Sequence, residues 1–212
     1  MHIPDGFIST PVAVTGIAVA VGSVACAVKV TNKKMGEKQI PMMGVLAAFI
    51  FAAQMLNFPI IGGTSGHLLG AALAAIFLGP WAGMLIMTCV LIVQSLIFQD
   101  GGLLALGVNI VNMGIVPCFV GYYLYRGVAP LFRNRKVGVM LGGGLAGWLT
   151  VVLSAVSCAL ELVISGTAPL NIVLPSMAGV YAVIGVGEGF ITAAVLALVL
   201  ATRADLLELQ KA

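Results

Sequence analysis

Charge is what this sequence has least of. Only 8% of its 212 residues are Asp, Glu, Lys or Arg, against 61% hydrophobic residues. A water-soluble domain carries about 25% charged residues, so this chain cannot cover a solvated surface. Too few cations remain to build a nucleic-acid-binding stripe, and none is interleaved with aromatics. Cysteine is sparse too: Cys26, Cys89, Cys118 and Cys158 lie apart in apolar runs, with no C-x-x-C pair. That spacing excludes a thiolate zinc site or a disulfide framework and leaves small apolar core residues. Basic residues are absent from the start. Met1 to Thr10 holds no Lys or Arg, and the first lysines follow the first apolar run. A cleaved signal peptide has the opposite order, so the first helix is expected to stay. The Gly-rich stretch Gly62-Gly63-Thr64-Ser65-Gly66-His67 lacks the Gly-Lys-Ser/Thr ending of a phosphate loop, so no ATP site is visible. No internal repeat or low-complexity tract is visible.

What is present is a series of apolar runs long enough for a bilayer core of roughly 30 Å. They imply an all-α integral membrane protein of about seven transmembrane helices. The expected spans are 11–30, 41–57, 67–78, 81–98, 103–125, 137–164 and 172–201, within a single membrane domain over 1–212. An N-terminal segment 1–10 precedes them, and an outer Gly-rich loop covers 58–66. Residues 68–98 are too long for one span at modest tilt. The positive-inside rule makes them two, joined at Gly79-Pro80. With the N-terminus outside and the C-terminus cytoplasmic, segments 29–41, 126–136 and 202–212 then place all 10 Lys and Arg in the cytoplasm.

The segment Met1-His2-Ile3-Pro4-Asp5-Gly6 carries the most chemical information. A histidine at position two makes a fused chelate from the α-amine, the His2 amide nitrogen and Nδ1. A deprotonated amide in such a set suits Ni(II) or Cu(II) in a square-planar field. Three nitrogens leave one corner open, and the only other histidine is His67. The charge map puts both histidines on the outer face. His67, read as the start of the third span, would sit at a helix N-terminus, where the dipole disfavours imidazolium. An interfacial histidine pair is the competing reading.

Gln54, Asn57, Thr64 and Ser65 cluster near the outer ends of spans two and three. They either orient ligands or satisfy loop backbone groups. Asn109 and Asn112 fall inside span five. Glu188, inside span seven, is costly there; it marks function, pairs with a buried polar group, or snorkels. Small residues recur every four positions at Gly44, Ala48 and Ala52, at Gly143 and Gly147, and at Gly185 and Gly189. Such faces let helices approach closely, within the chain or against another subunit.

At Met-His-Ile-Pro-Asp-Gly, and along essentially the whole chain, the sequence resembles the substrate-binding (S) components of energy-coupling-factor nickel and cobalt transporters. The resemblance implies a metal-capture subunit that is not an enzyme, multi-pass in a prokaryotic cell membrane. It implies Ni(II), or alternatively Co(II), as transported substrate, with no organic cofactor. The ligands it implies are the Met1 amine, the His2 amide and imidazole, and the His67 imidazole. It implies as partners a transmembrane coupling subunit and two cytoplasmic ATPases, with Gly44, Ala48 and Ala52 as the coupling face. A self-sufficient permease is the rival, but the His-x-x-x-x-Asp-His helix of known nickel–cobalt permeases is missing. A vitamin or drug binder of similar fold would not need a free N-terminus. An intramembrane hydrolase would need paired carboxylates, or a histidine near a nucleophile within one span.

Overall fold

A computed structural model describes residues 1–36, 39–56, 58–60 and 64–208. Of the residues singled out above, Asn57 lies outside the described residues, as do the side chains of Thr64 and Ser65.

The described chain is helical apart from one short hairpin. In order come α1 (Thr10–Lys34), α2 (Gln39–Gln54), the antiparallel strands β1 (Phe58–Ile60) and β2 (Thr64–Gly66), then α3 (Ala71–Leu78) and α4 (Pro80–Ile97). They are followed by α5 (Leu106–Ile110), a π-helical turn (Val111–Ile115), α6 (Val116–Val128), α7 (Arg135–Ile164) and α8 (Leu170–Thr202). Among the described residues five segments are long and apolar enough to cross a bilayer: 10–33, 80–97, 106–131, 135–164 and 170–202; α2 is shorter.

The third apolar run differs from its expected form. Helix starts at Ala71, not at His67, so α3 has 8 residues. At 1.5 Å per residue it rises only ~12 Å, well short of a bilayer core. The cause lies in the tertiary structure. Gly70 has φ +75°, and the Glu188 carboxylate accepts hydrogen bonds from Leu69 N–H (2.8 Å) and Gly70 N–H (2.5 Å). Non-helical backbone inside a membrane protein is tolerated only where protein covers it. Here His67, Leu69 and all but the last residue of α3 are buried, with α4, α6 and α7 packed around the helix. Gly79, at φ +86°, ends α3, and Pro80 opens α4 at once. A left-handed glycine and a proline at the first helical position make that reversal possible in a single residue.

The fifth run is interrupted as well. Pro117 has no N–H, and its ring opposes the carbonyl four residues earlier. The chain relieves this by widening into the π turn just before α6. Asn112 sits in that turn, and its amide donates to the Glu161 carboxylate on α7.

Helices α7 and α8 form the tightest pair. A Cβ on Gly189 would stand 2.7 Å from the Gly144 carbonyl oxygen, and one on Gly147 would stand 2.9 Å from Thr192 Oγ1. The glycine faces of span six and span seven therefore pack against each other. By contrast Gly44, Ala48 and Ala52 are exposed along α2, and a Cβ on Gly44 would meet nothing within 4 Å.

Replacing Gly189 with Leu should force α7 and α8 apart. Overpacking of this kind costs about 1–3 kcal/mol. The thermal midpoint of the purified chain in detergent should fall; an unchanged midpoint would mean that the helices do not meet at this contact.

Candidate metal centre

The N-terminal segment is folded back into the helical bundle. Met1 and Ile3 are 0% exposed and His2 is 3% exposed. For the charged end of a chain, that degree of burial requires specific partners. Asn109 supplies two of them: its Oδ1 accepts Ile3 N–H at 2.9 Å, and its Nδ2 donates to the Ile3 carbonyl at 3.1 Å. Gly102 N–H donates to the same carbonyl at 2.9 Å. The Asp5 carboxylate accepts from the backbone N–H groups of Leu103 (3.0 Å), Leu104 (2.8 Å) and Ala105 (3.3 Å). Gly102 allows this contact, since a Cβ there would collide with Asp5. The first nine residues thus form a strap pinned to the 99–109 segment, with the Gly6 turn (φ +89°) leading back to α1.

At the tip of the strap three nitrogen groups meet. The Met1 amine lies 3.3 Å from His67 Nε2 and donates to the Tyr181 hydroxyl. The rings of His2 and His67 have centroids 4.7 Å apart, tilted by 36°. His67 Nδ1 lies 2.7 Å from the Leu68 carbonyl. A carbonyl only accepts, so Nδ1 carries the ring proton and Nε2 presents its lone pair toward the amine. His2 Nε2 lies 3.0 Å from Gln94 Oε1, and its Nδ1 lies 3.3 Å from Asp100 Oδ1. Gln94 Nε2 donates to Gln54 Oε1 at 3.0 Å, and Gln54 Nε2 donates to the Leu69 carbonyl at 2.7 Å. The Cys158 thiol faces the Met1 carbonyl at 3.9 Å.

Burial sets the protonation of the strap. It lowers the Met1 amine from its usual value near 8 to about 5, against smaller opposing effects of Cys158 and Asp100. It lowers His2 to about 3, helped by the neighbouring amine and opposed by the hydrogen bond to Gln94. Both groups are neutral bases at pH 7, the state that metal coordination requires.

Met1, His2 and His67, separated by 66 positions at most, are brought into one cluster. Gln54 is buried two hydrogen bonds away from His2. Asn109 clamps the strap, and Glu188 holds the backbone that follows His67. The expected role for a helix dipole at His67 does not survive: α3 begins four residues later, and the field of a helix end fades within one turn. Sequence reading missed Gln94, Asp100 and Tyr181 as neighbours of the cluster. Gln94 and Tyr181 are polar groups inside long apolar runs, and that cost of burial was their only signal. Among the described residues no group of three or more His, Cys, Asp or Glu side chains is gathered as a metal site.

A family model described as the cobalt uptake substrate-specific transmembrane region, CbiM, matches residues 2–206. The chain belongs to the CbiM family. It is 42% identical over 214 residues to a putative fused nickel transport protein of Archaeoglobus fulgidus, covering 100% of this chain and 69% of the relative. It is 43% identical over 212 residues to a putative metal transport protein of Haloquadratum walsbyi, covering 97% and 93%. A cobalt transport protein of Geobacter sulfurreducens is 30% identical over 214 residues, covering 98% and 61%. The crystal structure of a truncated transition metal transporter superposes with a TM-score of 0.85 at 33% identity, covering 97% of this chain and 99% of that one. The resemblance read from the sequence therefore holds: this is an integral membrane protein of a nickel and cobalt transport family. These CbiM relatives are transport proteins.

The buried terminus makes the fold sensitive to pH. Its amine is neutral in place down to about pH 5. Released into water, it is protonated below about pH 8. The undocked state therefore binds more protons between those limits, and docking gains stability as pH rises through them. The thermal midpoint of the metal-free CbiM-family chain should climb from pH 5 to pH 8, and the climb should shrink when the α-amine is acetylated. A midpoint that falls over this window would contradict the burial.

Proposed function

We propose that this protein is the metal-capture subunit of an ATP-driven nickel uptake transporter, and that it holds Ni(II) in a square-planar site of four nitrogens. The ligands are the Met1 amine, the His2 amide nitrogen, His2 Nδ1 and His67 Nε2. The observation that carries the reading is the meeting of the Met1 amine and His67 Nε2 at 3.3 Å, with the other His67 nitrogen committed to Leu68. Two neutral nitrogen donors from distant parts of the chain face each other in a dry site, and His2 adds its amide and ring nitrogens to the same chain end. A planar nitrogen set favours Ni(II). The relatives named for cobalt transport support Co(II) as the second reading.

In this reading the strap lies on the outer side of a prokaryotic cell membrane and the C-terminus is cytoplasmic. ATP is hydrolysed by two separate ATPase subunits joined through a transmembrane coupling subunit. The exposed Gly44, Ala48 and Ala52 stripe of α2 is the face that meets the coupling subunit. Its small side chains let a partner helix approach closely.

Purified chain with an unmodified N-terminus should bind nickel tightly. His67→Ala and His2→Ala should each abolish tight binding without unfolding the bundle, as read by isothermal calorimetry beside a thermal midpoint. One Gly inserted between Met1 and His2 makes a sharper test. The tail then offers an amine, two amides and an imidazole, a full planar set on its own. Binding should become indifferent to His67→Ala, and cellular uptake should collapse. Insertion-variant binding that still needs His67, with normal uptake, would sink the chelate.

The coupling face has its own test. Ala48→Leu should stop metal uptake by cells while leaving nickel binding by the isolated chain intact. Uptake at the normal rate would place the coupling contact elsewhere.

A further inference from the structure

We infer that Gln94 and Gln54 form a tautomer clamp that keeps the His2 ring proton on Nε2 and so leaves the Nδ1 lone pair for the metal. The inference rests on the nickel-site reading above and adds positioning residues to it.

Hydrogen-bond polarity along this series fixes where the proton sits. An amide side chain can be turned either way, so a single Gln beside a histidine decides nothing. Two of them in series, tied to a carbonyl, do. The Leu69 carbonyl can only accept, so the Gln54 group 2.7 Å from it must be the NH2. The Gln54 oxygen is then the atom that meets Gln94, and Gln94 must donate to it at 3.0 Å. That leaves the Gln94 oxygen facing His2 Nε2 at 3.0 Å, where it must receive an N–H. The order is dictated from the Leu69 end. Leu69 is itself held, because its N–H is bound by the Glu188 carboxylate of α8 at 2.8 Å. Gln54, Gln94 and Glu188 are all buried, so water does not compete for these bonds.

The clamp has something to oppose. Asp100 Oδ1 stands 3.3 Å from His2 Nδ1. A carboxylate oxygen accepts hydrogen bonds, so on its own it would draw the ring proton onto Nδ1. That tautomer is the wrong one. Only Nδ1 can close a six-membered ring with the His2 amide nitrogen on one metal, and a protonated Nδ1 has no lone pair to offer. Gln94 on one side of the ring and Asp100 on the other thus pull toward opposite tautomers, and the Leu69-anchored series settles the contest in favour of the chelate.

The test reads the proton directly. The chain has 2 histidines, so 15N-imidazole labelling of the purified metal-free protein gives two ring systems to resolve by NMR. Wild type should show His2 as the Nε2–H tautomer. Gln94→Met keeps the length of the side chain but removes the acceptor; His2 should move to Nδ1–H, and nickel affinity should fall ten- to a hundredfold, the usual effect of losing a partner that orients a ligand. Gln94→Glu can still accept from Nε2–H and should keep the wild-type tautomer, with affinity within a few-fold of wild type. Adding Asp100→Asn to Gln94→Met removes the opposing pull and should restore much of the affinity. Should Gln94→Met fail to fold, Gln54→Met cuts the series one step earlier, frees the Gln94 amide to turn, and should give mixed tautomers. Nε2–H retained in folded Gln94→Met, or in Gln54→Met where that variant stands in for it, would overturn the clamp, whatever happened to affinity. A wild-type chain with the expected tautomer that bound no nickel would instead overturn the metal reading and leave the clamp standing.

Discussion

The whole arrangement depends on burying the first residue of the chain. A terminal amine is ordinarily a solvated cation at the edge of a fold. Here it is taken out of water and answered by Tyr181 and His67. Burying it costs free energy unless the group is held neutral and finds partners; burial lowers its pKa to about 5, and Tyr181 and His67 stand against it. Several otherwise unrelated features follow from that placement. Asn109 inside a membrane helix has a reason, because the Ile3 peptide must be satisfied on both its N–H and its carbonyl. Asp5 has one too, as the acceptor for consecutive backbone N–H groups ahead of α5. The Gly101-Gly102 pair is needed where the strap crosses, since side chains there would press on His2 and Asp5.

The second constraint is the close contact of α7 and α8. Glycines on both helices let their backbones approach to a distance at which a methyl group would clash. That contact fixes the position of α8, and α8 in turn carries Tyr181 and Glu188 on one side. The two residues are two turns apart, so they face the same way. Tyr181 answers the Met1 amine, while Glu188 holds Leu69 and Gly70. One rigid helix therefore sets both the end of the strap and the backbone after His67. Packing of small residues far from the cluster decides the geometry inside it.

Much of the fold was legible because a bilayer leaves few choices: apolar runs become helices, and Gly79-Pro80 becomes a reversal. The proximity of His2 and His67 was legible for a different reason, since counting charges placed them at the same end of the bundle. What stayed hidden was tertiary in origin. The run from His67 reads as continuous helix because its residues are as apolar as those that follow. Only a carboxylate 118 positions later, capping Leu69 and Gly70, stops the helix from starting there. The π turn had a visible cause in Pro117, but a proline in a membrane helix does not announce whether the chain will kink or widen. Gln94 carried no pattern at all. A single amide in an apolar run gains meaning only once the strap is folded against it.

The strap also constrains how an ion can arrive. Met1 and Ile3 are wholly buried and His2 nearly so, so the strap covers the cluster. On the proposed reading, an ion would reach the cluster when the strap, the 99–105 segment, or both lift. The bonds that would have to break are those of Asp5 to Leu103 and Leu104 N–H, which lie at the exposed edge, and to Ala105 N–H, which is half-buried. Exposed hydrogen bonds open more readily than the buried ones to Asn109. The strap is thus held by Asp5 at its outer edge and anchored by its tip, and the tip carries the nitrogens proposed as ligands. An ion held by that tip and by His67 ties the strap to the body of the bundle. If the proposed ligand set holds, capture and closure are one event, because the atoms proposed to bind the metal are the atoms that shut the site.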